Sequence, residues 1–270
     1  MSMFSQDEFE RGRYRWRKDG KILVTIVSQP FCLRDTKKEK ITKVDEEERS
    51  VDIDAIRLTQ FFKEEKAKFP VNVDLRFDQN CKYDEFVEKY VQVMEKEKAK
   101  YEKYDCFFFI FLTYVGEESI DDEKLHFYDK CKPLGEILDE VKKQEVTWGK
   151  PKIFLIQADD KTLLGPKTEP KGPTVVKERK IPQDADRLVI QSTIPQGIAN
   201  RNNTDQNPSF LVQAFMDAMK SNWSLRHDFL SLTTTINKNV DDMINQSGGE
   251  RKNEMLVPLV TSTLTKTLVF

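Results

Sequence analysis

The sequence predicts an α/β protein built on a layered sheet, and three observations carry that expectation. KILVTIVSQPF (21–31), CFFFIFLTYVG (106–116) and PKIFLIQA (151–158) are nearly continuous in apolar residues. Strands covered on both faces have that composition. Helix-patterned stretches lie between the first two runs, and a cleanly alternating strand lies between those helices. Strand–helix–strand–helix–strand order is the pattern of a sheet packed between helices.

After the first strand, VDIDAIRLTQFFKEEKAKF (51–69) places Ile53, Ile56, Leu58, Phe61 and Phe62 near one helix face, with Asp52 or Asp54 as its cap. VNVDLRFD (71–78) alternates as a strand. KYDEFVEKYVQVMEKEKAKYEKY (82–104) carries Phe86, Tyr90, Val93 and Met94 at helical spacing, then becomes charged all round. That charged end reads as a solvated face with i, i+4 pairs. The stretch 163–186 holds four prolines and two glycines and reads as a linker or exposed loop. RLVIQSTI (187–194) is expected to be a strand, NPSFLVQAFMDAMKSN (207–222) and LRHDFLSLTTTINKNVDDMI (225–244) helices. MLVPLVTSTLTKTLVF (255–270) reads as a strand pair or one long strand, and no internal repeat is visible.

Composition bounds the function. Among 270 residues, 38% are hydrophobic and 33% charged, with a net charge of −2, as in an ordinary globular protein. Mixed charge gives no reason to expect nucleic-acid or membrane affinity. No apolar run approaches the roughly 20 residues that span a bilayer. The charged N-terminus lacks the apolar region of a secretory signal. Cys32, Cys81, Cys106 and Cys131 form no C-x-x-C pair, so no zinc site, disulfide framework or cofactor is expected and a reducing, cytoplasmic location is favoured. Only two histidines occur, His126 and His227.

Several segments together resemble the caspase family of cysteine proteases. IPQDADRLVIQSTIPQGIANRN (181–202) is similar to the opening of the caspase small subunit, and LVPLVTSTLTKTLVF to its closing strand. VDIDAIRLTQFF resembles the segment after the first active-site arginine, and LTYVGEES the loop that carries the catalytic histidine. The resemblance covers roughly residues 14 to 270. It implies a three-layer α-β-α sandwich with a mostly parallel, six-stranded central sheet. It also implies a short N-terminal extension (1–13), a large half (14–162), a Pro-rich intersubunit linker (163–180) and a small half (181–270).

Caspases carry their nucleophile in a Q-A-C-[RQG]-G signature, with the histidine roughly 50 residues upstream. Here the matching stretch reads Gln157, Ala158, Asp159, Asp160, Lys161. By resemblance the cysteine position falls on Asp159. The histidine position falls on Val115 when Gly116 is aligned directly, or on Tyr114 with a one-residue shift. Amide cleavage by this route needs a thiolate to attack the carbonyl and an imidazole to move protons. In one serine protease, loss of a nucleophile or base costs about 10⁶ in turnover. The expectation is a protein without peptidase activity.

The pocket that holds a substrate aspartate in caspases uses a glutamine and two arginines. Gln157 and Arg201 match two of these; Arg49 supplies the third only with a shift, since direct alignment gives Glu48. Ile198 and Asn200 stand where the family's groove has aromatic residues. Asp159 would repel an aspartate about 5 Å away by on the order of 3 kcal/mol at an effective dielectric near 20. A metal site at Asp159–Asp160 would need converging ligands that the sequence does not supply. The plainer reading pairs these acids with Lys161, Arg201 or solvent. Cys106 and Cys131 read as small core residues, because no histidine stands near them in the matching loop.

The resemblance therefore implies a non-catalytic regulator, activating or inhibiting, of an active caspase in apoptosis. The alternatives are a decoy that binds aspartate-containing peptides without cleaving them and, more distantly, a hydrolase working through Asp159. Pairing is expected through the closing strand, at Val260, Ser262, Leu264 and Lys266, with an active caspase paralogue or with a second copy. Caspases are matured by cleavage after aspartate between the halves; 161–183 contains no aspartate, so the chain is expected to stay intact.

Overall fold

Continuous apolar strands need cover on both faces, and the sheet supplies it. The computed structural model describes residues 12–29, 52–115, 124–160, 185–192, 207–225, 227–246 and 257–270. The strands are β1 (Lys21–Ser28), β2 (Asn72–Gln79), β3 (Tyr104–Val115), β4 (Lys124–His126), β5 (Cys131–Pro133), β6 (Lys152–Asp160), β7 (Arg187–Ser192) and β8 (Leu259–Ser262). Six of them form the main path in the order β2-β1-β3-β6-β7-β8. The first five are parallel and β8 runs antiparallel to β7.

Alternation divides the core. Ile22, Val24 and Ile26 of β1, with Phe108, Ile110 and Leu112 of β3, face α1 (Ile53–Glu64), α6 (Phe210–Leu225) and α7 (Phe229–Gln246). Leu23, Val27, Phe107, Phe109 and Phe111 face the other way. There they meet α2 (Tyr83–Phe86), α3 (Val93–Lys96), α4 (Lys98–Tyr101) and α5 (Leu134–Lys142). This is the three-layer α-β-α sandwich.

Local chemistry sets the element ends, and some expectations change. Asp52, not Asp54, caps α1: its Oδ1 accepts from the Ala55 N–H at 3.3 Å. Asp54 is buried and accepts from the Ser209 N–H at 2.6 Å, tying α1 to the approach to α6. Ile56 is 51% exposed, and the buried stripe is Ala55, Leu58, Phe61 and Phe62. Leu58 lies two positions after Ile56, which puts them on opposite sides of a helix with about 3.6 residues per turn.

The single helix expected over 82–104 is broken. A π-turn (Val87–Gln92) joins α2 to α3, and Glu97 separates α3 from α4. The wider turn lets Phe86 and Val91, five apart, both be fully buried. The hairpin β4–β5 and helix α5 were not anticipated. β1 pairs with β3 only as far as Ser28↔Leu112, and β4 then takes that side of β3, at Val115↔Leu125.

The closing strand is also shorter than expected. β8 ends at Ser262, so it contains Val260 and Ser262 but neither Leu264 nor Lys266. Beyond it Thr267 bridges to Arg13, and Leu268 and Phe270 turn into the core at 0% and 7% exposure. Their burial, rather than alternation along one strand, explains the apolar end of the sequence. The linker 163–180, Arg49, Arg201, Gly116, Ile198 and Asn200 lie outside the described residues.

Candidate functional site

The C-terminal ends of β3 and β6 form the candidate site, because parallel strands deliver their last residues to one edge of the sheet. β6 is fully buried from Lys152 to Ala158, so the chain is held straight until it reaches that edge. Its register against β3 is continuous: Gln157 lies opposite Leu112, Ala158 opposite Thr113, Asp159 opposite Tyr114 and Asp160 opposite Val115. The strand-end positions of Tyr114, Val115, Asp159 and Asp160 are thus adjacent across one ladder. On the other side Gln157 lies opposite Ser192, the last residue of β7.

Gln157 has no exposure and Ser192 is 1% exposed. The Ser192 hydroxyl and the Gln191 amide nitrogen find no hydrogen-bond partner among the described residues. Buried polar atoms of this kind carry a desolvation cost of about 1–3 kcal/mol each. The edge is therefore polar just where the apolar strands end.

The start of α1 closes this edge above β1. Asp52, 2% exposed, also accepts a hydrogen bond from the Ser28 hydroxyl at the end of β1. Gln29 follows, and its side-chain amide donates to the Cys81 carbonyl at 2.8 Å. These bonds fix α1, β1 and the segment after β2 at the edge. Neither Ser28 nor Gln29 was expected from the sequence to matter, since their polarity is visible there but their burial is not.

Two cysteines are inert. Burial raises the Cys106 thiol well above its ordinary range, and burial assisted by Asp78 pushes Cys81 up to about 12. Cys106 is a core residue, as expected. Cys131 is not: it is half-buried on β5, directly across from His126 on β4, and its Sγ is 3.1 Å from His126 Nδ1. The expectation that no histidine stands beside it is corrected. In LHFYDKC the folded hairpin's four-residue loop makes residues five apart cross-strand partners, a register that strands of three residues do not announce. Among the described residues no group of three or more His, Cys, Asp or Glu is placed to hold a metal ion. No helix among them is long and apolar enough to cross a membrane.

Comparison with known proteins accords with this architecture. A search of curated proteins finds no match. Among solved structures, the fold is similar to that of pro-sf-caspase-1, with 22% identity, a TM-score of 0.68 and coverage of 96% of this chain and 98% of that one. It is also similar to caspase-1 from Spodoptera frugiperda, with 21% identity, a TM-score of 0.64 and coverage of 96% and 92%. The caspase domain of the peptidase C14 family matches residues 40–269. With most of its length matched and its sheet built in this order, the chain belongs to the caspase family.

Proposed function

We propose that this caspase-family protein does not cleave peptides itself and instead regulates an active caspase paralogue by pairing with it along the β8 edge. One observation carries the reading. The positions that the family resemblance gives to the nucleophile and its base fall at the paired ends of β6 and β3, where this chain has Asp159 beside Tyr114 and Val115. Aspartate at the one position and tyrosine or valine at the other supply neither the thiolate nor the imidazole that amide attack requires. Cys131 and His126 supply such groups elsewhere, on the hairpin.

The β8 edge supports the second half of the reading. Thr263 N–H donates to the Arg187 carbonyl at 2.7 Å. Antiparallel ladder bonds alternate, so Thr261 and Leu259 bond to β7 while the backbone groups of Val260 and Ser262 point outward. Leu259 and Val257 are 42% and 37% exposed at the same edge. An unpaired strand with exposed apolar residues is a surface for adding another strand.

The test mixes purified protein with its most similar active caspase and measures both complex size and the rate of aspartyl-peptide cleavage. The expected result is no cleavage by the protein alone, a 1:1 complex at micromolar concentration and a changed rate for the partner. Val260→Pro removes an outward N–H and part of a side chain packed against the core; it should abolish the complex while circular dichroism shows the fold retained. Cleavage by the protein alone, or no complex, refutes the proposal. Tight binding of an aspartate-ended peptide without a caspase complex would instead favour the decoy reading.

A further inference from the structure

We propose that Cys131 is a reactive thiol, activated by His126, that takes small soft electrophiles. The loop 127–130 sets His126 opposite Cys131, with Sγ 3.1 Å from Nδ1 and 3.5 Å from Nε2. Both residues are half-buried, whereas Cys81 and Cys106 are 1% and 0% exposed. Of the three described cysteines, a reagent therefore reaches Cys131 first.

The pair is held in place by its surroundings. Thr113 Oγ1 donates to the His126 carbonyl at 2.5 Å, and Phe127 is buried with its ring 5.1 Å from that of Tyr83. Tyr83 N–H donates to Asp129 at 2.9 Å, and Tyr128 N–H to the Cys81 carbonyl at 3.0 Å. Leu125 is fully buried, so alternation carries His126 and its partner Cys131 to the opposite face of the hairpin.

The charged neighbours among the described residues do not oppose a thiolate. The hairpin itself carries Lys124, Asp129, Lys130 and Lys132. From α2, Asp84 is paired with Lys130 at 2.7 Å; from α5, Glu136 is paired with Lys132 at 2.8 Å. Lys130 and Lys132 both lie over the Tyr83 ring. Among the described residues these acids are thus paired with lysines, and the imidazole is in contact with the sulfur.

The chemistry follows. The thiol proton passes to the His126 ring nitrogen, leaving a thiolate beside an imidazolium, an arrangement that lowers a cysteine below its ordinary value of about 8.5. The thiolate attacks an electrophilic carbon: the S–C bond forms as the bond to the leaving group breaks, and the leaving group departs with the electron pair. The pair lies on a hairpin joined to the end of β3, apart from the Asp159 position, and no peptide cleavage is implied.

Iodoacetamide, which loses iodide in this step, tests the proposal on the whole folded chain. Alkylation is followed for each cysteine by peptide mass spectrometry between pH 5.5 and 9.5. The rate at Cys131 should reach half its maximum at least about one pH unit below 8.5, with Cys81 and Cys106 protected until unfolding. His126→Asn should return that midpoint to the ordinary range and slow the reaction at pH 6.5 by roughly threefold or more, since lower basicity partly offsets the greater thiolate fraction. A Cys131 midpoint at or above 8.5, or one that His126→Asn leaves in place, overturns the assignment. If the substitution collapses the hairpin, Cys81 becomes reactive too, and the midpoint of the unsubstituted chain decides.

Discussion

Phe108 sits in the middle of β3 with no exposure, and its ring meets those of Phe62, Phe229 and Phe270 at 6.1, 6.1 and 5.7 Å. One side chain thus joins the sheet to α1, to α7 and to the chain's last residue. Removing it leaves a cavity between elements that cannot all collapse inward. Phe108→Ala should cost about 3–5 kcal/mol in urea unfolding, a large share of a domain's usual stability. A second residue links stability to pH. Lys150 is pushed down to about 8, chiefly by burial and then by the nearby Arg17. The folded chain therefore loses this proton near pH 8, whereas the unfolded chain keeps it until about 10.5. Between those values the unfolded state binds more protons, so this group makes stability rise with pH. Tyr14 acts in the opposite sense, but only above pH 10, because burial and Asp186 push it up to about 12. The buried Cys81 and Cys106 thiols also oppose the rise, from about pH 8.5 upward. The substituted and unsubstituted chains are therefore compared between pH 8 and 10, where Lys150→Gln should lower the slope of the urea midpoint against pH. An unchanged slope would remove Lys150 as its source.

At the scale of elements, α1 depends on its first contact. Asp52 caps the helix and also accepts from Ser28, so Asp52→Ala leaves a helix N–H and a hydroxyl without their acceptor. The expected loss is on the order of 2 kcal/mol, measured as a shift in unfolding midpoint. The helix start was legible in VDIDAI, though not which of Asp52 and Asp54 caps it, and so were β1, β3 and β6, because a fully covered strand writes its burial directly into composition. The hairpin was not legible, since strands of three residues are too short to show a period. The π-turn was hidden for a different reason: Tyr90 and Val93 satisfy ordinary helical spacing, and only packing reveals that Phe86 and Val91 share the buried side. At the candidate site, the strands that carry Asp159 and Tyr114–Val115 were legible as long apolar runs, whereas their pairing in one ladder was not. The approach of Cys131 to His126 depends on a cross-strand register that only the folded hairpin defines.

The whole molecule is closed by its two ends. Tyr14 N–H donates to the Thr267 carbonyl at 3.0 Å, and Thr267 N–H to the Gly12 carbonyl at 2.7 Å. Trp16 Nε1 donates to the Val269 carbonyl at 2.9 Å while its ring lies 5.4 Å from that of Phe270. The Tyr14 hydroxyl and Thr265 Oγ1 both donate to Asp186, which precedes β7. Trp16→Ala removes one bond and one ring contact from this closure. It should lower the melting temperature by about 5 °C in a calorimetric scan, corresponding to roughly 2 kcal/mol. The closure also bears on how damage to the chain would be noticed. Suppose a protease severs the backbone somewhere within 161–184. The upstream piece would still grip the tail of the downstream piece at Thr267 and Val269, and β6 would still be laced to β7 over six residue pairs. The severed protein would travel through a sizing column in native buffer as though whole. Only a denaturing gel would reveal two bands.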